Sequence, residues 1–63
     1  MHTELEIFAM RLKQARILKK LSMDKLAELI GGIVTKQSIS KYESGKMMPN
    51  STVLIAFSTA LGV

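Results

Sequence analysis

The sequence predicts one small all-α domain built from four to five helices. Apolar residues recur at helical spacing in four segments, and residues that start or stop helices stand at the ends of each segment. The alternation of apolar and polar residues that is typical of strands occurs nowhere in the chain. With 63 residues and no cysteine, the chain has room for one core and no disulfide to support it.

The first helix is predicted over residues 3–19 and the second over residues 23–30. Acidic residues near the start and lysines near the end of the first segment suit the helix dipole. Ser22 is a good N-cap for the second helix, and Gly31 with Gly32 stops it. The residues expected to face inward are Leu5, Phe8, Ala9, Leu12 and Ala15 in the first helix, and Leu26, Ala27, Leu29 and Ile30 in the second.

The third helix is predicted over residues 36–44, with Thr35 as its N-cap and Gly45 as its stop. It has few apolar positions, so we expect it to depend on the other helices for its stability. The fourth helix is predicted over residues 51–61, capped by Asn50. It is apolar on nearly all sides, which is typical of a buried helix or of one at an interface.

The second and third helices, with the glycine-containing turn between them, form a helix-turn-helix pattern. In that arrangement the later helix enters the major groove of DNA. Ala27 is small enough to let the two helices cross closely, and Ile39 provides an inward anchor. Glutamine can pair with adenine and lysine can donate to guanine. We therefore expect base contacts from the outward side of the third helix, which carries Lys36, Gln37, Ser40 and Lys41.

The charge balance is basic, with nine Lys and Arg against five Asp and Glu, a net charge of +4 and a pI near 9.8. Such an excess in a small domain favours a phosphate-binding surface. The uncharged stretch after Lys46 is too short and too polar to span a membrane. The start of the chain has no signal-peptide pattern, so we expect a cytoplasmic protein.

Several segments together resemble the Cro/C1-type helix-turn-helix family, which includes the lambda and 434 repressors and the xenobiotic-response-element regulators. These segments are Leu12-Lys13-Gln14-Ala15-Arg16, Leu21-Ser22, Leu26-Ala27-Glu28, residues 37–46, Pro49 and Leu61-Gly62-Val63. The resemblance covers about residues 5–63. It implies a lambda repressor-like fold and a bacterial or phage-encoded transcriptional repressor that binds double-stranded DNA as a homodimer.

The resemblance also assigns roles to individual residues. Lys36, Gln37 and Lys41 match base-reading positions, with Ser40 beside them. Met23 stands where the family usually has a polar phosphate contact, so its backbone N–H alone remains for that role. The resemblance implies phosphate contacts from Met23, Ser44, Lys46 and Asn50. Phosphate contacts are also expected from Arg11, Thr35 and Ser38. Arg16 and Glu43 match a pair of residues that forms an internal ion pair in related repressors.

Two departures from the family pattern bear on the expectations. The turn over residues 31–34 is about two residues longer than the shortest family turns, and we expect Ile33 to pack inward there. Family members usually continue past the last residue of this chain into a fifth helix. Residues 1–63 are therefore expected to be the N-terminal domain, or a fragment, of a longer regulator.

Other functional classes are less well supported. The uncharged segment over residues 47–63 favours, as an alternative, a protein-interaction module such as an antitoxin or anti-repressor. His2 stands alone, so no metal site is expected, and no cofactor or small-molecule ligand is evident. Ser38 and Lys41 lack an orienting acid and a pocket, so an enzyme is not expected.

Overall fold

A computed structural model describes residues 3–62 of the chain, and four α-helices make up the regular structure of these residues. They are α1 (Glu4–Leu18), α2 (Met23–Leu29), α3 (Lys36–Glu43) and α4 (Ser51–Leu61). No strand occurs among residues 3–62, so the all-α prediction is confirmed. His2 and Val63, the last residue of the family-like segment Leu61-Gly62-Val63, lie outside the described residues.

Each helix is preceded by an N-cap residue whose side chain accepts a hydrogen bond from a backbone N–H of the first turn. The predicted N-caps Ser22, Thr35 and Asn50 accept from the backbone N–H groups three residues later. At α1 the cap is Thr3, which precedes the helix. Thr3 Oγ1 accepts from the Glu6 N–H at 3.2 Å, and the Thr3 N–H donates to Glu6 Oε1 at 3.3 Å, forming a capping box.

The ends of α1, α2 and α3 share one type of turn. In each, the residue after the C-cap has a positive φ, and the following N–H donates back to a carbonyl five residues earlier, as in a Schellman motif. The positive-φ residues are Lys20 at 58°, Gly31 at 79° and Gly45 at 75°. The left-handed region suits glycine, so the lysine at the end of α1 is the unusual member of the set.

The core lies where α3 crosses the other helices. α3 packs against both α1 and α2, and Leu26 and Ile39 are fully buried. Tyr42 meets Phe57 of α4 edge to face, with ring centroids 5.9 Å apart. The remaining buried apolar residues are Ala9, Leu12, Ile30, Val53 and Leu61. The short, polar α3 is therefore held in place from several sides, as its composition requires.

Two inward-facing expectations are wrong. Leu29 is 54% exposed and Ile33 is 51% exposed. α2 ends at Leu29, and Ile30 takes the buried position at its end. The two glycines that follow both have positive φ and turn the chain so that Val34, rather than Ile33, packs against the core.

α4 is buried on one side only. Val53, Phe57 and Leu61 face the core, whereas Ile55 is 66% exposed and Leu54 is 42% exposed. Along residues 3–62, no helix reaches the length and hydropathy that crossing a bilayer would require.

Candidate nucleic-acid interface

α3 divides into a buried side and an exposed side. Ile39 and Tyr42 point into the core. Lys36, Gln37, Ser40 and Lys41 are all exposed, and their spacing of one, three and four residues puts them on one side of the helix. We call these four residues the polar face of α3. The rest of the described chain leaves this face uncovered, which is the condition that a duplex-reading surface must meet.

Arg16 fixes α3 to α1 through a pair of charge-assisted hydrogen bonds. Its Nε donates to Glu43 Oε2 at 2.7 Å and its Nη2 donates to Glu43 Oε1 at 3.0 Å. Its Nη1 donates to the Leu21 carbonyl at 2.7 Å, which ties in the segment between α1 and α2. We call this set of bonds the Arg16 clamp. It holds the C-terminal end of α3, while Ile39 anchors its middle.

The Arg16 clamp is almost shielded from water, with the Arg16 and Glu43 side chains 12% and 3% exposed. The hydrogen bonds to Glu43 raise the pKa of Arg16 above its ordinary value, against the lowering effect of burial, and the charge of Glu43 adds to the rise. The guanidinium therefore stays charged, and the carboxylate matches its fork geometry.

The segment that follows α3 carries three of the predicted phosphate contacts. Lys46 is exposed directly after the turn. The Ser44 hydroxyl donates to the Lys41 carbonyl at 3.1 Å, so it would have to rotate to reach a phosphate. Asn50 uses its side-chain oxygen to cap α4, which leaves the amide nitrogen as the group of the right polarity for a phosphate.

The other predicted phosphate contacts differ in how they are placed. Thr35 is exposed and caps α3, and the N–H that it accepts from belongs to the half-buried Ser38. Met23 packs against the core, so its side chain contributes to folding rather than to a polar surface. Arg11 is exposed and lines a groove between α1 and α4.

One acidic residue at this surface was not singled out by sequence reasoning. Asp24 Oδ2 lies 3.8 Å from Lys36 Nζ, which joins the first turn of α2 to the first turn of α3. The only signal for it in the sequence is its position two residues after the Ser22 cap. Asp24 can be paired with Lys36 only when it is known that α2 and α3 begin side by side, and the sequence does not give that arrangement.

These features define a helix-turn-helix domain, and comparison with known proteins gives the family. The model of the helix-turn-helix family of the Cro/C1 type matches residues 12–63. The chain therefore belongs to the Cro/C1-type helix-turn-helix family, and the resemblance seen in its sequence is confirmed. No solved structure gives a significant match.

A curated relative comes from a bacterium. Over 57 residues the chain is 39% identical to the SPbeta prophage-derived uncharacterized HTH-type transcriptional regulator YonR of Bacillus subtilis (strain 168). The match covers 90% of this chain and 51% of the relative, so the chain spans about half the length of that protein.

Proposed function

We propose that this domain binds double-stranded DNA in a sequence-specific way and acts as the DNA-reading part of a transcriptional repressor. The observation that carries the proposal is the polar face of α3, which is exposed while the opposite side of the same helix is locked into the core. Membership of the family and the similarity to a relative named a transcriptional regulator support it. Neither points to an enzyme.

In the proposed complex α3 lies in the major groove. Gln37 and the lysines of the polar face have the donors and acceptors that distinguish base pairs there. Lys46, Arg11, Thr35, Asn50 and the backbone N–H groups at the helix starts would fix the position of the domain through phosphate contacts. The Arg16 clamp would take no part in binding, because Arg16 and Glu43 satisfy each other inside the fold.

We further propose that two copies bind together. A homodimer would place two α3 helices in successive major grooves, about 34 Å apart, on a site with two-fold symmetry. The proposal extends to the whole protein: a cytoplasmic regulator, of bacterial or phage origin, in which residues 1–63 are the N-terminal domain. The match to about half of a longer regulator supports the proposal that the whole protein is longer than this domain.

Selection of bound sites from a random duplex library tests the base contacts. Replacing Gln37 with Ala should change the preferred sequence, because a side chain that distinguishes bases is lost. Replacing Lys46 with Ala should weaken binding to all sequences alike, since phosphates carry no sequence information. Lys13→Ala, at another exposed cation, is the matched control. An unchanged preferred site for Gln37→Ala would contradict the assigned docking.

A second candidate function is a protein-interaction module on the same fold. It is favoured by the groove of about 480 Å³ between α1 and α4, whose apolar lining includes Phe8, Leu54 and Phe57. Mixing the domain with random duplex DNA at low salt separates the two functions. Binding supports the DNA-reading function, and its complete absence supports the interaction module.

A further inference from the structure

The corner where α2 and α3 begin contains an acidic group next to a predicted base-reading lysine. The Asp24 carboxylate is 73% exposed, the Lys36 side chain is 54% exposed, and their charged atoms are 3.8 Å apart. That separation is longer than a hydrogen bond, and between two exposed groups it gives a modest charge–charge attraction. An exposed pair of this kind contributes on the order of 0–1 kcal/mol to stability. Its position at the proposed DNA surface therefore gives it more effect on binding than on folding.

The position of Lys36 makes its ammonium group sensitive to nearby negative charge. Lys36 lies in the first turn of α3, where the positive end of the helix dipole disfavours a cation. A carboxylate or a phosphate relieves that repulsion. In the free protein Asp24 occupies this role, so in a complex Asp24 and a DNA phosphate would compete for the same ammonium group.

We propose that Asp24 is a positioning residue that increases the sequence specificity of Lys36. This inference rests on the proposed function of α3. By partly neutralising Lys36, the carboxylate reduces its attraction to phosphates, which is the same on every duplex. It also repels phosphates itself. The hydrogen bond that Lys36 donates to a base acceptor depends on sequence and is retained. Asp24 therefore lowers non-specific affinity more than specific affinity.

The chain offers a closely matched control. Glu28 also lies on α2, its side chain is also 73% exposed, and its carboxylate is also 3.8 Å from a lysine ammonium, that of Lys25. Asp24→Asn and Glu28→Gln remove the same charge from the same helix. The partner of Asp24 is on α3 and the partner of Glu28 is on α2. The two carboxylates also lie at opposite ends of α2, so the melting curves of both variants are compared as well.

The experiment measures dissociation constants for the wild-type chain and both variants on two duplexes, at about 0.1 M salt. One duplex is the site obtained by selection, and the other has the same length and composition in scrambled order. If one extra phosphate is neutralised, Asp24→Asn should bind the scrambled duplex up to about tenfold more tightly. Its gain on the selected site should be less than about twofold. Glu28→Gln should change both affinities by the same small factor.

Two further variants separate a positioning role from a general charge effect. In a Lys36→Gln background, Asp24→Asn should change the ratio of specific to non-specific affinity much less than in the wild type, because only the repulsion between the carboxylate and the phosphates is then removed. Asp24→Glu keeps the charge and should keep the wild-type ratio. Circular dichroism melting should be nearly unchanged in all these variants, because the replaced side chains are exposed.

The inference is overturned if Asp24→Asn and Glu28→Gln have the same effect on the two affinities. It is also overturned if Asp24→Asn lowers the ratio of specific to non-specific affinity as much in the Lys36→Gln background as in the wild type. Both results can be obtained only if the wild-type chain binds duplex DNA, so neither of them contradicts the proposed function. A wild-type chain that binds neither duplex overturns the proposed function, and this inference with it.

Discussion

At the scale of single residues, Arg16 connects three parts of the chain through one guanidinium group. It reaches Glu43 on α3 and the Leu21 carbonyl while remaining part of α1. Removing one partner from such a buried pair leaves an uncompensated charge and strongly lowers the free energy of unfolding. Replacing both partners with apolar residues changes that free energy much less. The Arg16 clamp is therefore a place where single and double substitutions should differ sharply.

Glu43→Gln should destabilise the domain by about 3 kcal/mol, because it leaves the Arg16 charge buried and unpaired. A domain of this length has a stability of roughly 3–9 kcal/mol, so the loss should remove a large part of it. The double variant Arg16→Met/Glu43→Leu should lose less stability than the sum of the losses for Arg16→Met alone and Glu43→Leu alone. Urea unfolding followed by circular dichroism measures all of these.

The exposed pair of Lys25 and Glu28 is the control for this cycle. Replacing Glu28 with Gln should change the free energy of unfolding by less than about 0.5 kcal/mol, since exposed pairs contribute little. Equal losses for Glu43→Gln and Glu28→Gln would show that burial of the clamp has no energetic consequence.

At the scale of helices and turns, the turn that ends α1 contains a residue with a strained backbone conformation, and this strain can be tested. Lys20 has φ 58° in a turn whose counterparts after α2 and α3 are Gly31 and Gly45. An L-residue in this region costs roughly 1–2 kcal/mol, partly offset by the greater backbone entropy that glycine loses on folding. We therefore expect Lys20→Gly to stabilise the domain by about 0.5–1 kcal/mol in thermal or urea unfolding.

Lys20→Ala is the control for the strain. It removes the same positive charge but keeps the Cβ atom, so it should bring no such gain. If Ala and Gly raise the melting temperature equally, the gain comes from the lost charge, and strain at Lys20 is not its source.

The elements also show which parts of the fold could be predicted. The caps Ser22, Thr35 and Asn50 and the glycine stops have strong local signals, and the helix starts and ends lie where those signals put them, within a residue or so. Leu29 and Ile33 could not be placed this way. Their exposure depends on the direction in which the glycine turn sends the chain, and apolar character alone does not encode that direction.

At the scale of the whole molecule, charge is unevenly distributed along the chain. Five acidic residues lie before Ser44, and residues 47–63 carry no charged side chain. The net charge of +4 should draw the domain to any polyanion, and the polar face of α3 would then select among sequences. Because binding releases counterions, we expect affinity for duplex DNA to fall steeply as salt concentration rises.

Replacing Lys46 with Ala should make that dependence shallower. The slope of log affinity against log salt should decrease in size by about one for each copy bound, because one phosphate contact is lost. Fluorescence anisotropy between about 50 and 200 mM salt measures the slope. Lys13→Ala should leave it nearly unchanged, and an equal effect of the two variants would show that Lys46 acts through net charge alone.

The candidate site is predictable from sequence to a different extent than the fold. The spacing of Lys36, Gln37, Ser40 and Lys41 was enough to place them on one side of a helix, and the structure leaves that side exposed. The proximity of Asp24 to Lys36 depends on how two helices cross. Because a contact between two helices leaves no periodic pattern in the sequence, only the structure reveals that Asp24 and Lys36 are neighbours.

The Arg16 clamp has a consequence for how a duplex would be read. With its end bound to α1 and its middle anchored by Ile39, α3 has little freedom to shift independently of the other helices. A stiff protein leaves the adjustment of shape to its partner, and bending or twisting DNA costs different amounts for different base steps. Preferred sites should therefore share easily deformed steps at positions that no side chain reaches.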